Sequence, residues 1–265
     1  MEIKFSHVNS RDFKDLSFTI PKGNITGIYG DNGDKLLRLI ALLDDSKGII
    51  YFNKIRKLRS NYYLFRNDII LIERSFINHF NVDNIYEYFV SYIRYKKIKV
   101  DDIDKRIKDS LRIVGLKIDL LDRRISTLTF SETKLLQFAL AFLANPKVIL
   151  LDEPFRGLDL KSVNKLMRIL TRLKDKFART IVIYSSDPNY LYQYTDYLFV
   201  FFDNKLIAEG SSRDVFFDNE DISLYNIRRP EIVDFIMLVK DKKNVKLPRR
   251  VDVKDLIKDI YWNVK

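Results

Sequence analysis

The chain has 265 residues, 46% of them hydrophobic, a formal net charge of +11 and no cysteine. That apolar share supports one large packed domain, or a domain with an appendage, and excludes a largely disordered chain. The lack of thiols excludes disulfides, thiolate metal sites and cysteine nucleophiles, no apolar run is as long as a membrane span, and the start Met1-Glu-Ile-Lys-Phe-Ser6 reads as a strand and not as a signal peptide.

Residues 2–8 and 16–20 alternate apolar and polar side chains, as half-buried strands do. Pro21 to Gly23 is a turn, and Ile25 to Tyr29 is a short apolar strand running into a loop at Gly30. Leu36, Leu37, Leu39, Ile40 and Leu43 repeat at helical spacing, and 49–52 and 69–72 read as strands. From Val82 to Leu121 charges mix with apolar residues at helical spacing (Ile85, Phe89, Ile93, then Ile103, Ile107, Leu111, Val114), which predicts a helical insertion with a boundary near Gly115. A helix follows over Ser131 to Ala144, then a strand at 148–151, a helix at 161–177 and strands at 180–184 and 197–202. Strands alternating with helices predict a mainly parallel α/β sheet. Residues 231–239 and 251–261 read as short helices joined by Lys246-Leu-Pro248, so the expected division is a main domain over 1–221 and a small C-terminal appendage over 222–265.

The charge is spread along the chain among acidic residues. Eleven basic against six acidic residues between Arg228 and Lys265 put nearly half of the excess there. No nucleic-acid-reading motif accompanies it, so no nucleic acid partner is expected, and solubility with a membrane-proximal location is the favoured reading.

The most informative run is Val148-Ile-Leu-Leu-Asp-Glu-Pro154, preceded by Asn145-Pro-Lys147 and followed by Gly157-Leu-Asp159. An apolar strand here ends in two adjacent carboxylates. Upstream lie Gly30-Asp-Asn-Gly-Asp-Lys35 and a Ser131-led helix; downstream, a strand ends in Tyr184-Ser-Ser-Asp187. In that order these segments resemble the nucleotide-binding subunit of an ABC transporter. The resemblance implies a P-loop NTPase-type ABC nucleotide-binding domain: a mainly parallel sheet with flanking helices, an antiparallel β edge and a helical subdomain at about 80–145. It implies ATP and Mg as cofactors, with Asp152 organising Mg and Glu153 as general base. Gly30, Asn32, Gly33 and Lys35 would form the phosphate loop, and Asp159 would lie in the loop that crosses the dimer interface. His7 falls where an aromatic residue stacks on adenine, although a strand-end surface histidine is the commoner explanation.

Other positions depart from the family. The motif G-x-x-x-x-G-K-[ST] needs backbone N–H groups around the phosphates, a Lys on their oxygens and a hydroxyl on Mg. Counted from Gly30, the second Gly falls on Lys35, the Lys on Leu36 and the hydroxyl on Leu37; if the following helix sets the register, about three residues are missing from the loop. Asp31 and Asp34 put carboxylates where phosphate belongs, and Asp34 is expected to cap a helix starting near Lys35. The signature helix keeps Ser131 but has Glu132 and Thr133 where small residues allow close approach to phosphate; a simple capped start at Ser131 is as good a reading. Glu73 replaces a Gln that contacts metal and water, and Ser186 replaces a His that stabilises the γ-phosphate. An impaired nucleotide site is therefore expected.

Within the family, residues Arg229 to Ile236, Val245 to Pro248 and Val253 to Ile260 are similar to the C-terminal dimerisation segment of energy-coupling factor (ECF) ATPases; a generic helical pair sealing a sheet edge fits the pattern too. The resemblance implies a second ABC ATPase subunit, in a homo- or heterodimer, and a transmembrane subunit as partners, at the cytoplasmic face of the membrane. Phe76 and Phe80, in the segment after Glu73, would either receive that membrane partner or lie in the core. Two functions follow: an ECF-type ATPase subunit with an impaired site, or a non-hydrolysing scaffold on the same fold. A chromosome- or ribosome-associated protein is the weaker option, since the chain has neither a long coiled-coil insertion nor a fused second nucleotide domain.

Overall fold

The computed structural model describes residues 1–65, 67–76 and 78–263. Ile77 of the segment after Glu73, and Val264 and Lys265 of the expected C-terminal appendage, lie outside the described residues.

Two sheets organise the chain. The smaller is antiparallel, in the order β2 (Leu16–Ile20), β1 (Ile3–Asn9), β4 (Lys47–Phe52), β5 (Ile55–Arg56). Its alternation is as expected: Ile3, Phe5 and Val8 of β1 and Leu16, Phe18 and Ile20 of β2 are buried. The larger sheet runs β10 (Lys205–Ser211), β9 (Tyr197–Phe202), β3 (Ile25–Gly30), β8 (Thr180–Tyr184), β7 (Val148–Asp152), β6 (Ile69–Ile72). All its pairings are parallel except β10 on β9. The unbroken apolar strands occupy its centre, where both faces are covered: every residue of β7 and all but the last of β3 are buried.

The helices largely fill in as their spacing predicts, but the first ends before Leu43, which is 53% exposed. Helix α1 (Gly33–Ile40) buries Leu36, Leu37, Leu39 and Ile40 under the sheet. The insertion contains α2 (Ile85–Lys96) and α3 (Ile103–Val114), capped by the side chains of Asn84 and Asp102; α3 stops at Gly115, whose φ of 67° is the left-handed conformation that ends helices. Helices α4 (Phe130–Leu143) and α5 (Leu160–Phe177) flank β7 in the chain.

Several elements were not legible in the apolar pattern: β5, β10, α6 (Pro188–Tyr194), α7 (Ser212–Asp218) and α8 (Glu220–Leu224). The two C-terminal helices form, as α9 (Glu231–Lys243) and α10 (Val253–Asn263). Ile236, Leu247 and Leu256 make a small core between them, while Ile257, Tyr261 and Trp262 of α10 stay exposed. Among the described residues no helix is long and apolar enough to cross a membrane.

Candidate functional site

The C-terminal ends of parallel strands gather most of the candidate residues. β3 ends at Gly30, β7 at Asp152 and β8 at Tyr184, and in-register pairing sets Asp152 opposite Tyr184. Glu153 follows with φ of 46°, so the chain turns sharply away from β7. Its N–H donates to the Tyr184 carbonyl at 3.0 Å. Its carboxylate accepts the Ser186 backbone N–H at 2.7 Å and the Ser185 hydroxyl at 3.2 Å. Ser186 therefore meets Glu153 through its backbone.

Asp152 has an occupied carboxylate. Arg74, two residues beyond β6, donates Nε to Oδ2 at 3.1 Å and Nη2 to Oδ1 at 3.3 Å, a bidentate fork. The bond to Asp152 raises the Arg74 pKa further. Lys134 of α4 reaches in from behind and donates Nζ to the Arg74 carbonyl at 2.6 Å. Lys134 is 3% exposed. Burial pulls its pKa down to about 8, and the charges of Asp152 and Glu153 offset part of that fall. Glu73 lies beside α1, with Oε1 at 3.7 Å from Arg38 Nη1, and Gln137 donates to its carbonyl at 3.3 Å.

The loop from Gly30 to Gly33 is tied to the β9–β10 turn. Gly30 has φ of 102°, and an added Cβ would lie 1.9 Å from the Phe201 carbonyl oxygen, so only glycine fits. Asp31 accepts the Asp203 N–H at 2.9 Å, and the Asn32 amide donates to the Asn204 side chain. Helix α1 begins at Gly33 with Asn32, in the left-handed conformation, at its N-cap and no side-chain capping bond. This corrects the expected cap: Asp34 lies inside the first turn. The Tyr184 ring packs on Gly33 so closely that an added Cβ would sit 2.1 Å from it. Burial, with Glu153 second, pushes the Tyr184 phenol up.

The remaining candidates have other partners. Lys35 Nζ donates to Asp12 at 2.7 Å. His7 sits at a bulge with φ of 49°, and its exposed ring is hydrogen-bonded through Nδ1 to Asp15 at 2.7 Å. Ser131 is not the helix cap. Thr129 is, in a reciprocal box: Glu132 N–H donates to Thr129 Oγ1 at 3.2 Å and Thr129 N–H to Glu132 Oε2 at 2.9 Å. Glu132, which stands where a small residue was expected, is engaged in this box. Asp159 caps α5, accepting Ser162 N–H at 2.8 Å, a bond that lowers its pKa. Among the described residues no hydrogen bond or ion pair joins His7, Lys35, Ser131 or Asp159 to the Asp152 cluster. Gly157 does pack on Phe130, bringing the loop after β7 against the start of α4. Phe76 and Phe80 are half-buried, with ring centroids 5.5 and 5.0 Å from Tyr88.

The residues that reading the sequence missed are Arg74 and Tyr184. For Arg74 a signal existed: β6 pairs in register with β7, Ile72 opposite Leu151, so the residues after each strand come alongside one another. Among the described residues no group of three or more His, Asp or Glu side chains converges to hold a metal on protein ligands alone.

Comparison with known proteins gives this geometry a context. The family model described as "ABC transporter" matches residues 13–156, just over half of the chain. The energy-coupling factor transporter ATP-binding protein EcfA2 of Clostridium perfringens is 28% identical over 235 residues, covering 86% of this chain and 82% of that protein. An EcfA of Methanocaldococcus jannaschii is 26% identical over 238 residues, covering 88% and 85%. Among solved structures, CbiO1 of Clostridium perfringens, described as part of the ABC transporter complex CbiONQ, is similar at TM-score 0.72 and 25% identity, covering 89% of this chain and 98% of that one.

Proposed function

Because this chain belongs to the ABC transporter family of ATP-binding domains, we propose that it serves as the ATPase-type subunit of an ECF-like transporter while its own nucleotide site is impaired. It would pair with a second ABC ATPase and dock on a transmembrane subunit at the cytoplasmic face, coupling the pair's motion to solute uptake. The ECF character of its curated relatives supports this reading. In it, residues 1–221 form the ATPase-type domain and 222–265 a dimerisation appendage, where the exposed Ile257, Tyr261 and Trp262 suit a partner.

The observation that carries the impairment is the Arg74–Asp152 fork. A guanidinium holds both oxygens of the carboxylate that the family uses to organise Mg. The residues of this conformation do not fit a Mg-triphosphate: Lys35 is engaged with Asp12, the Tyr184 ring covers Gly33, and no hydroxyl follows Lys35. In this reading Asp152 and Glu153 keep the family's positions but carry no hydrolytic step. The same fork favours a second reading, an ABC-fold scaffold that braces an active paralogous ATPase or a membrane partner and takes no part in nucleotide turnover.

The complex purified with its native partners tests this. ATP hydrolysis is expected to be the same with Glu153→Gln as with the native chain, and the isolated chain is expected to bind an ATP analogue more weakly than micromolar. A micromolar Kd, or a rate abolished by Glu153→Gln, would refute the impairment. A partner ATPase rate that changes when this chain is left out supports the coupled subunit, and an unchanged rate supports the scaffold that takes no part in nucleotide turnover.

A further inference from the structure

A second cavity lies at the other end of the large sheet. Its volume is about 490 Å³, within the range of small-molecule sites. Asn145 and Pro146, just before β7, and Arg179, just before β8, line it, so it opens at the N-terminal ends of strands whose opposite ends carry Asp152 and Tyr184. Phe142, Ile149, Ile169 and Phe177 give it an apolar wall. Six cations surround that wall, Arg106, Arg112, Lys165, Arg168, Arg172 and Arg179, and no carboxylate is among its described lining residues.

The structure answers this charge only in part. Arg106 donates to the Leu143 carbonyl at 2.8 and 3.2 Å, Lys165 to the Gly115 carbonyl at 3.1 Å and Arg179 to the Asn145 side chain at 2.6 Å. Those bonds satisfy donors without cancelling charge. Arg112 pairs with Asp109 at 2.8 Å. The ends of α4 and α5 add roughly half a negative charge each. Arg168 and Arg172, one turn apart on α5, have no hydrogen bond or ion pair among the described residues, an arrangement of like charges that destabilises a helix. Phe177, at the end of the same helix, is 53% exposed. An anion would relieve the repulsion, and an apolar body would cover the wall.

We propose that this cavity binds a phosphorylated small molecule with a flat apolar body, of about mononucleotide size. The phosphate lies against Arg168 and Arg172, and the ring against Phe142 and Phe177. Nothing in this depends on the state of the Asp152 cluster.

Titration calorimetry of the full chain in metal-free buffer, with AMP and with inorganic pyrophosphate as separate probes, tests it. AMP is expected to bind, with affinity that falls as KCl is raised. The double variant Arg168→Gln/Arg172→Gln is expected to weaken AMP by at least about tenfold, since charge-assisted hydrogen bonds are lost. Phe177→Ala is expected to weaken AMP and leave pyrophosphate unchanged. Both arginines are on the exposed side of α5, and a melting curve confirms that the variants fold; Arg172→Gln alone serves if the double variant does not. NMR amide shifts locate the ligand at 165–177. Absence of AMP binding at millimolar concentration, pyrophosphate binding as tight as AMP, AMP affinity untouched in the folded double variant, or shifts confined to residues 30–34 would each overturn the assignment, the last placing the ligand at the site already described. Capture by phosphatidic acid vesicles with no response to AMP would also overturn it, in favour of a lipid surface.

Discussion

Arg74 holds Asp152 in a two-pronged contact, Nε to Oδ2 at 3.1 Å and Nη2 to Oδ1 at 3.3 Å, with Lys134 fastened to the Arg74 carbonyl behind it. Removing the guanidinium leaves a mostly buried carboxylate facing Lys134 alone. Arg74→Ala is therefore expected to cost about 1–2 kcal/mol in urea unfolding, a figure discounted for the solvent that reaches the arginine. It should also free Asp152 for a divalent cation. Mn²⁺ binding followed by electron paramagnetic resonance should tighten in Arg74→Ala and return to the native level in Arg74→Ala/Asp152→Asn; equal Mn²⁺ binding by native chain and Arg74→Ala would show that the arginine does not compete with metal.

Gly33 and Tyr184 form a steric pair. A methyl group on Gly33 would meet the ring at 2.1 Å, so Gly33→Ala is expected to destabilise by about 2 kcal/mol or more. Gly33→Ala/Tyr184→Ala should recover most of that loss relative to Tyr184→Ala alone, and a double-mutant cycle measures the coupling. Additive losses would mean that the ring moves aside freely.

The Thr129–Glu132 box predicts an acid-dependent contribution. Hydrogen bonds from Thr129 hold the Glu132 carboxyl below its ordinary range. The unfolded state thus binds the proton more readily, and the stabilisation is present above the ordinary Glu pKa and lost as pH falls through the lower folded value. Glu132→Ala should cost about 1 kcal/mol at pH 7, and the cost should shrink as the pH falls below the ordinary Glu range. A cost that persists undiminished at pH 3 would assign the residue a role other than capping.

Lys134 gives the same slope with pH for the opposite reason, since burial disfavours its charged form. Burial lowers its pKa to about 8 in the folded state, against 10.5 for the free side chain. Between those values the unfolded chain holds the extra proton, so stability rises with pH across that window, by on the order of 3 kcal/mol at most. Below it both states are charged and the folded chain bears the full desolvation cost. Lys134→Met should flatten the rise measured by urea unfolding between pH 8 and 10. An unchanged slope would show that Lys134 keeps its charge through contact with Asp152 and Glu153.

Where the apolar pattern has one period, the sequence was a good guide. β1 and β2 alternate, β3 and β7 are continuous, and α2, α3 and α5 keep their helical spacing. β10 escaped because its ladder is edge-like, with Lys205, Glu209, Gly210 and Ser211 interrupting any alternation. A turn signal was nonetheless present: Asp203 and Asn204 both have positive φ, the backbone of a tight hairpin, and both residue types tolerate it. At the site, the Asp152–Glu153 strand end was visible because a buried strand and two carboxylates are written consecutively. The partners were not. Arg74 meets Asp152 only once the order β6–β7–β8 is known, and Tyr184 covers Gly33 only once β3 and β8 are neighbours. Both helix caps slipped by two residues: Asn32 and Thr129 each took the boundary ahead of the expected Asp34 and Ser131.

Trp262, the chain's sole tryptophan, stands 76% exposed on the outer side of α10. Its fluorescence spectrum is therefore a built-in optical gauge of that one surface. A shift of the emission toward the blue on mixing with a candidate subunit would mean that the indole has left water, and no dye would have to be attached to see it.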